Sequence, residues 1–242
     1  MTAYRAGDQE YRAFVGPLEQ YDVIGAAQFA LLYALGLRQH HRLLDVGCGS
    51  LRAGRMLIAY LEPGNYSGVE PNTWLIDEAV KKQVGRDLLD IKRPTFRATD
   101  RFEFSGLGTF DFVLVQGVAT NAGPTLVPVM LTAVRDVLGP RGICAITFVH
   151  PGTTDPDVVA VDPDDRKAAP WLYPNCYSYE RSAVERWLTS ASLVDGPVPW
   201  YHPRQTWWLL ARAPEALPPW EFLSQLTGPT LVEGFESSWR SR

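Results

Sequence analysis

Acidic side chains follow glycine turns and short apolar runs at spacings that suit a nucleoside-bearing ligand. The segment Leu43-Leu44-Asp45-Val46-Gly47-Cys48-Gly49-Ser50 leads from an apolar stretch through a glycine turn into helical spacing. Glycine tolerates positive φ and lets a ligand approach the main chain, and a helix start offers unpaired N–H groups. A lone G-x-G is weak evidence. Here an acid supports it: Glu70 closes Ser67-Gly68-Val69-Glu70, about 20 positions past the loop, where a carboxylate can accept from both hydroxyls of a ribose. A third acid, Asp100 in Ala98-Thr99-Asp100-Arg101-Phe102, suits an adenine amino group, with Phe102 against the ring and Arg101 in the same site. Plainer readings stand beside these: Asp45 as a turn cap, Glu70 as an exposed strand end, Asp100 as a turn residue.

The elements that must position these residues alternate. Apolar runs at 42–46, 65–70, 96–99, 110–116 and 142–149 read as strands, and helical spacing falls at 50–61, 73–85 and 126–138. Such alternation predicts a parallel sheet covered on both faces, with ligands at the carboxyl ends of its strands. A helix is expected before the first strand, over 25–36, with Asp22 as its N-cap. Further on, 179–192 reads as a helix, and 193–200 with 205–212 as two antiparallel strands. The alternation Trp207-Trp208 puts at most one of the two into the core.

With these residues in place the chain resembles the class I S-adenosylmethionine-dependent methyltransferases, small-molecule type. The loop at 45–50 is similar to that family's first motif, Glu70 to its ribose-binding acid, and Asp100 to its adenine-contacting position. Phe110-Asp-Phe-Val-Leu-Val-Gln116 is similar to the fourth-strand motif, and Leu138 to Gly142 to the turn before strand five. The likeness covers roughly 40–150, with weaker support to about 212. It implies a Rossmann-like α/β fold, a seven-stranded, mostly parallel sheet with an antiparallel last strand and helices on both faces. It also implies S-adenosyl-L-methionine as cofactor, held by Asp45, Gly47, Gly49, Arg52, Glu70, Asp100, Arg101, Phe102 and Gln116. The chain departs from the family after Gly49, where Leu51 and Arg52 follow. Arg52 would reach the methionine carboxylate, and its bulk opposes the close pyrophosphate approach of a nicotinamide site.

The acceptor side is less determined. His150 ends strand five and would serve as a base near neutral pH, or simply bind backbone at a loop start. Asn121 would position an amine or hydroxyl, although Asn121-Ala-Gly-Pro also reads as a turn. Tyr173, with Trp171, Cys176 and Tyr177, suits an acceptor pocket built on the insert 150–176. Tyr4, Tyr11 and Tyr21 would form a lid from the other side. His202 falls in the turn between the last strands, where a structural role away from the cofactor is expected.

The chain is read as one domain: an arm or lid at 1–40, a cofactor core at 41–149, the insert at 150–176, a last helix and hairpin at 177–212, and a tail at 213–242. Its 242 residues suffice for a sizeable core. A net charge of −4 and three scattered cysteines disfavour nucleic acid, a disulfide framework and a metal site. No apolar run is long enough to span a membrane and no signal peptide is evident, so the cytoplasm is expected, with a small-molecule substrate. The arm and tail would suit a lid or a homodimer. Two alternatives to methyl transfer stay open: cyclisation or aminocarboxypropyl chemistry releasing methylthioadenosine, and a non-catalytic binding module.

Overall fold

The computed structural model describes residues 4–152 and 155–226. Helix α1 (Tyr21–Ala34) precedes strand β1 (Leu43–Val46), helix α2 (Gly54–Tyr60) and strand β2 (Tyr66–Val69). Helix α3 (Thr73–Ala79) runs through a π-helical stretch, Val80–Val84, and breaks at Gly85 before helix α4 (Arg86–Lys92). Strand β3 (Thr95–Arg97), strand β4 (Phe110–Val115), helix α5 (Val127–Val137) and strand β5 (Leu138–Phe148) follow. The chain continues through β6 (Val158–Ala160), β7 (Cys176–Ser178), α6 (Arg181–Ser190), β8 (Val194–Pro197), β9 (Thr206–Ala211) and α7 (Trp220–Leu223).

Seven strands form one sheet in the order β3-β2-β1-β4-β5-β9-β8. The first five are parallel, and β9 is antiparallel to both of its neighbours. Strand order reverses between β1 and β4, so the crevice expected of such a sheet opens past Val46 and Val115. The pleat deals apolar residues alternately to two cores. Leu44, Val46, Val113, Val115, Cys144 and Ile146 join the layer capped by α5 and α6. Leu43, Phe112, Leu114, Ile143 and Ala145 join the layer under α1 to α3.

Several boundaries depart from the sequence reading. The helix expected from Ser50 begins at Gly54, because Gly49 (φ 52°) and Leu51 (φ 56°) are both left-handed and the chain turns twice first. The single helix expected over 73–85 is two pieces, α3 and the π-helical stretch, and α4 beyond it was not expected. No turn separates α5 from β5: Leu138 pairs with Phe110 directly, and Gly139 and Gly142 lie against the Phe110 carbonyl. The insert contains a two-stranded sheet of β6 and β7. Trp207 and Trp208 both reach a core, because the sheet is covered on both faces at β9; each is 3% exposed, on opposite sides. Asp22 does not cap α1: Gln20 holds that position, and Asp22 bridges Arg12 and Arg55 at 3.0 and 2.6 Å. Residues 227–242 of the expected tail lie outside the described residues.

No helix among the described residues is long and apolar enough to cross a membrane. Nor does any group of three or more His, Cys, Asp or Glu side chains among them form a metal cluster.

Helix α1 sits directly on the glycine loop. Tyr21 donates to the Ser50 carbonyl at 2.8 Å, and a Cβ added at Gly25 would stand 2.5 Å from the Arg52 carbonyl oxygen. The segment before α1 presses on the loop too: a Cβ at Gly49 would stand 2.7 Å from Val15 Cγ1. Gly49→Ala should therefore suffer both left-handed strain of about 1–2 kcal/mol and displacement of the Val15 segment. A fall in melting temperature of roughly 2–8 °C is expected, with faster proteolysis before residue 20. A variant that melts like the parent would show that this contact is not made.

Candidate active site

A cavity of about 730 Å³ opens at the carboxyl edge of the parallel strands. One wall is the loop after β1 with the ends of β2 and β4, contributing Asp45, Gly47, Gly49, Glu70 and Gln116. The arm, α1, the insert and the turn before β9 supply the rest of the lining.

Tertiary hydrogen bonds build the loop. The N–H groups of Gly47 and Cys48 both donate to the Val69 carbonyl, at 2.8 and 3.1 Å, which ties the loop to the end of β2. The Gly49 N–H donates to Glu70 Oε2 at 3.1 Å. Glu70 Oε1 accepts from the backbone N–H and side-chain amide of Asn72, each at 2.9 Å. A carboxylate has about four acceptor positions, so one on Oε2 remains for a ligand hydroxyl. Burial pushes the Glu70 carboxyl upward, and the three donors oppose the shift. Gly47 (φ 69°) lies under Val118, leaving no room for a Cβ.

Asp45 is 4% exposed and accepts from the Tyr66 hydroxyl at 2.8 Å. Burial pushes its carboxyl to about 6, partly offset by Tyr66 and by the nearby Arg52. Arg52 donates from Nη1 to the Val15 carbonyl at 2.9 Å and, more weakly, from Nε to Gln28 Oε1 at 3.4 Å. Burial draws its guanidinium down to about 10, so it stays charged at neutral pH. Among the described residues it forms no ion pair, although it lines the cavity. A desolvated cation without an anionic partner is costly, and the cavity is where such a partner can come from.

The sequence candidates divide. Asp45, Gly47, Gly49, Arg52, Glu70, Asp100, Gln116, Asn121 and Tyr173 all line this cavity. Asp100 does so at the exposed rim. Gln116 Oε1 is buried without a hydrogen-bond partner. Asn121 spends its amide on holding the insert, donating to the Asn175 carbonyl at 2.6 Å. Tyr173 stacks beside Phe14 of the arm, 5.0 Å between ring centres.

Three candidates lie elsewhere. Arg101 is exposed and outside the cavity lining. Phe102 is turned into the core against Phe104 and Trp171 and offers no face to the cavity. His150 also lies outside the lining, and both ring nitrogens are occupied: Nδ1 bonds the Tyr179 carbonyl at 2.8 Å and Nε2 accepts from Trp208 Nε1 at 3.2 Å. One neutral tautomer satisfies both bonds, and burial lowers the ring's basicity. His150 is a clamp between β5, β9 and the start of α6, and the role of base expected for it is corrected to that. The tyrosine lid is corrected as well. Tyr11 and Tyr21 are buried in other contacts, and Phe14, Val15, Gly16 and Pro17 face the cavity instead.

The turn before β9 was missed. Because β9 is antiparallel, with Thr206 opposite Phe148, the residues entering it stand at the carboxyl edge of β5. His202, Arg204 and Gln205 therefore line the cavity. The antiparallel direction was itself expected from the sequence, and following it would have placed His202 beside the ligand.

Asp45→Asn should separate stability from binding. The carboxyl's folded value, about 6, lies above its ordinary 3.8, so the ionised form is penalised in the fold. That penalty, on the order of 3 kcal/mol, is absent below pH 4, grows through pH 4–6 and is full above pH 6. Asparagine keeps an acceptor for Tyr66 and removes the charge. The variant is expected to melt above the parent at pH 7.5, with the gap closing by pH 4. A gap independent of pH would refute the assignment.

Residues 44–144 match a family model described as a methyltransferase domain. The fold is similar to magnesium protoporphyrin IX methyltransferase from Synechocystis PCC 6803 with bound S-adenosylmethionine, at 16% identity and TM-score 0.57, covering 80% of this chain and 83% of that one. A glycopeptide N-methyltransferase complexed with S-adenosylmethionine aligns at 13% identity and TM-score 0.58, covering 78% and 94%. An amino pentose methyltransferase from Micromonospora echinaspora aligns at 13% identity and TM-score 0.54, covering 80% and 92%. No curated protein sequence matches the chain.

Proposed function

We propose, from the match of residues 44–144 to a methyltransferase domain, that this chain is a class I S-adenosylmethionine-dependent methyltransferase that transfers a methyl group to an oxygen or nitrogen of a small molecule. The observation that carries this reading is the meeting of Asp45, Glu70 and Arg52 in one cavity at the carboxyl edge. Their charges suit the three polar parts of the cofactor. Glu70 has an acceptor position left for ribose hydroxyls. Arg52, without an anionic partner among the described residues, suits the methionine carboxylate, and Asp45 beside it suits the ammonium. Asp100 at the rim would accept from the adenine amine.

When bound, the cofactor supplies an electrophilic methyl on a sulfonium, and no protein nucleophile is needed. The work left to the chain is binding, alignment and exclusion of water. Glu70 fixes loop and ribose together, because the carboxylate that faces the ligand also holds the Gly49 N–H. Phe14 and Tyr173 bring the arm and the insert together over the cavity. We assign acceptor choice to the arm at 1–40 and the insert at 150–176, which supply lining beyond the strand ends and the glycine loop.

Calorimetry with S-adenosylmethionine tests the cofactor assignment. Tight binding by the parent is expected, weakened more than tenfold by Glu70→Ala, which removes a charged acceptor. Equal affinity in both would remove Glu70 from the site. Mass spectrometry of the protein with cofactor alone tests the reaction: intact cofactor is expected, whereas methylthioadenosine would establish the cyclising or aminocarboxypropyl alternative.

A further inference from the structure

The cavity extends beyond what the cofactor reading uses, to the turn at His202, Arg204 and Gln205. His202 is fixed there by its own turn. Its Nδ1 accepts from the backbone N–H of Arg204 at 3.1 Å and of Gln205 at 2.9 Å. Two donors on Nδ1 place the ring hydrogen on Nε2. That nitrogen has no hydrogen-bond partner among the described residues and is not sealed from solvent. The charged groups that act on the ring are Arg52 from the glycine loop and Arg204 from the turn, and Asp155 and Cys176 of the insert line the same cavity. Arg204 pairs with Asp155 at 3.1 Å. Burial, with Arg52 and Arg204 adding to it, drives the His202 imidazole down to about 3. Above pH 4 it is therefore a neutral donor that resists taking a second proton, which is the opposite of a general base. His150 supplies no base either, since both its nitrogens are occupied.

The geometry points to an oxyanion pocket for the acceptor: His202 Nε2–H, in the field of Arg204, receives the acceptor's oxygen in deprotonated form, so the acceptor is an acidic hydroxyl compound of the phenol class methylated on oxygen. This deepens the methyl-transfer reading and rests on it. The hydroxyl gives its proton to solvent as it binds, because the directed N–H and the Arg204 guanidinium, which also holds Asp155, stabilise the anion. One oxygen lone pair then forms the bond to the methyl carbon as the carbon–sulfur bond breaks. The electron pair of that bond stays on sulfur, leaving a neutral ether and a neutral thioether. An amine would gain nothing from His202, whose Nδ1 is already occupied and whose Nε2 donates.

The probe is 4-nitrophenol, whose anion absorbs visible light, titrated from pH 5 to 9 in the presence of excess full-length protein without cofactor. Bound nitrophenol should ionise about 1–2 pH units below the free compound. His202→Asn is the informative variant. Its side-chain oxygen can accept from the N–H groups two and three residues on, as an Asx turn does, while the Nε2 donor is lost. It should keep the parental melting temperature and S-adenosylmethionine affinity and lose most of the nitrophenol shift. Should that variant not fold, Arg204→Gln replaces it, with a smaller loss of shift expected. Absence of nitrophenol binding, an unshifted bound value, or a full shift in the folded variants overturns the proposal. The broader reading is judged separately: a chain that binds S-adenosylmethionine and methylates only amines keeps that reading and loses this one.

Discussion

Asp45, Arg52 and Glu70 are withdrawn from water at the end of the parallel strands, and the desolvation of those charges is the constraint that the surrounding structure answers. Each is buried further than its chemistry favours. Burial raises both carboxyls and lowers the guanidinium. Partial compensation comes from neutral donors and acceptors: the Tyr66 hydroxyl on Asp45, the Gly49 and Asn72 N–H groups on Glu70, the Val15 carbonyl on Arg52. The three are not locked in ion pairs with one another, which would satisfy the fold and leave nothing for a ligand. A site held in this state costs stability and offers it back on binding, since any ligand that pairs with these groups stabilises the folded chain.

That arrangement explains the local irregularities. Three left-handed residues between β1 and α2, Gly47, Gly49 and Leu51, hold the main chain close to the end of β2, where the Gly49 N–H can meet Glu70. Gly25 lets α1 ride against the Arg52 carbonyl, and Val15 closes over Gly49. Arg52 is consequently fixed from two directions, by Gln28 of α1 and by the Val15 carbonyl of the arm. The arm is thus part of the charge environment, and its contacts and the ligand's share the same groups.

The sheet was legible in the sequence because each strand carries its own apolar run between punctuating residues. Gly47, Gly49 and Glu70 were legible because the turn and the strand end are local in sequence and their separation is set by one crossover. Boundaries within helices were less so: nothing in Val80 to Val84 announces a π-helical stretch, and the left-handed Leu51 looks like any helical leucine. Phe102 and His150 were misread for a shared reason. Sequence places a residue at the edge of a strand but leaves open which way its side chain turns. Phe102 turned inward to fill the space beside Trp171, and His150 turned toward Trp208, whose indole N–H needed an acceptor in the core.

His202 illustrates the converse. Its neighbours Trp200, Tyr201 and Pro203 suggest a turn and nothing more, and it lies about 150 positions from the glycine loop. Only the antiparallel direction of β9 brings it to the cavity, and only its backbone partners decide which nitrogen carries the hydrogen. The same two N–H groups that close the turn deny the ring its basic nitrogen. A residue type associated with proton removal is thereby converted into a fixed donor, and the field of Arg52 and Arg204 keeps it so. An acceptor suited to that wall must arrive already acidic enough to surrender its proton, which transfers the demand for a base from the protein to the chemistry of the substrate.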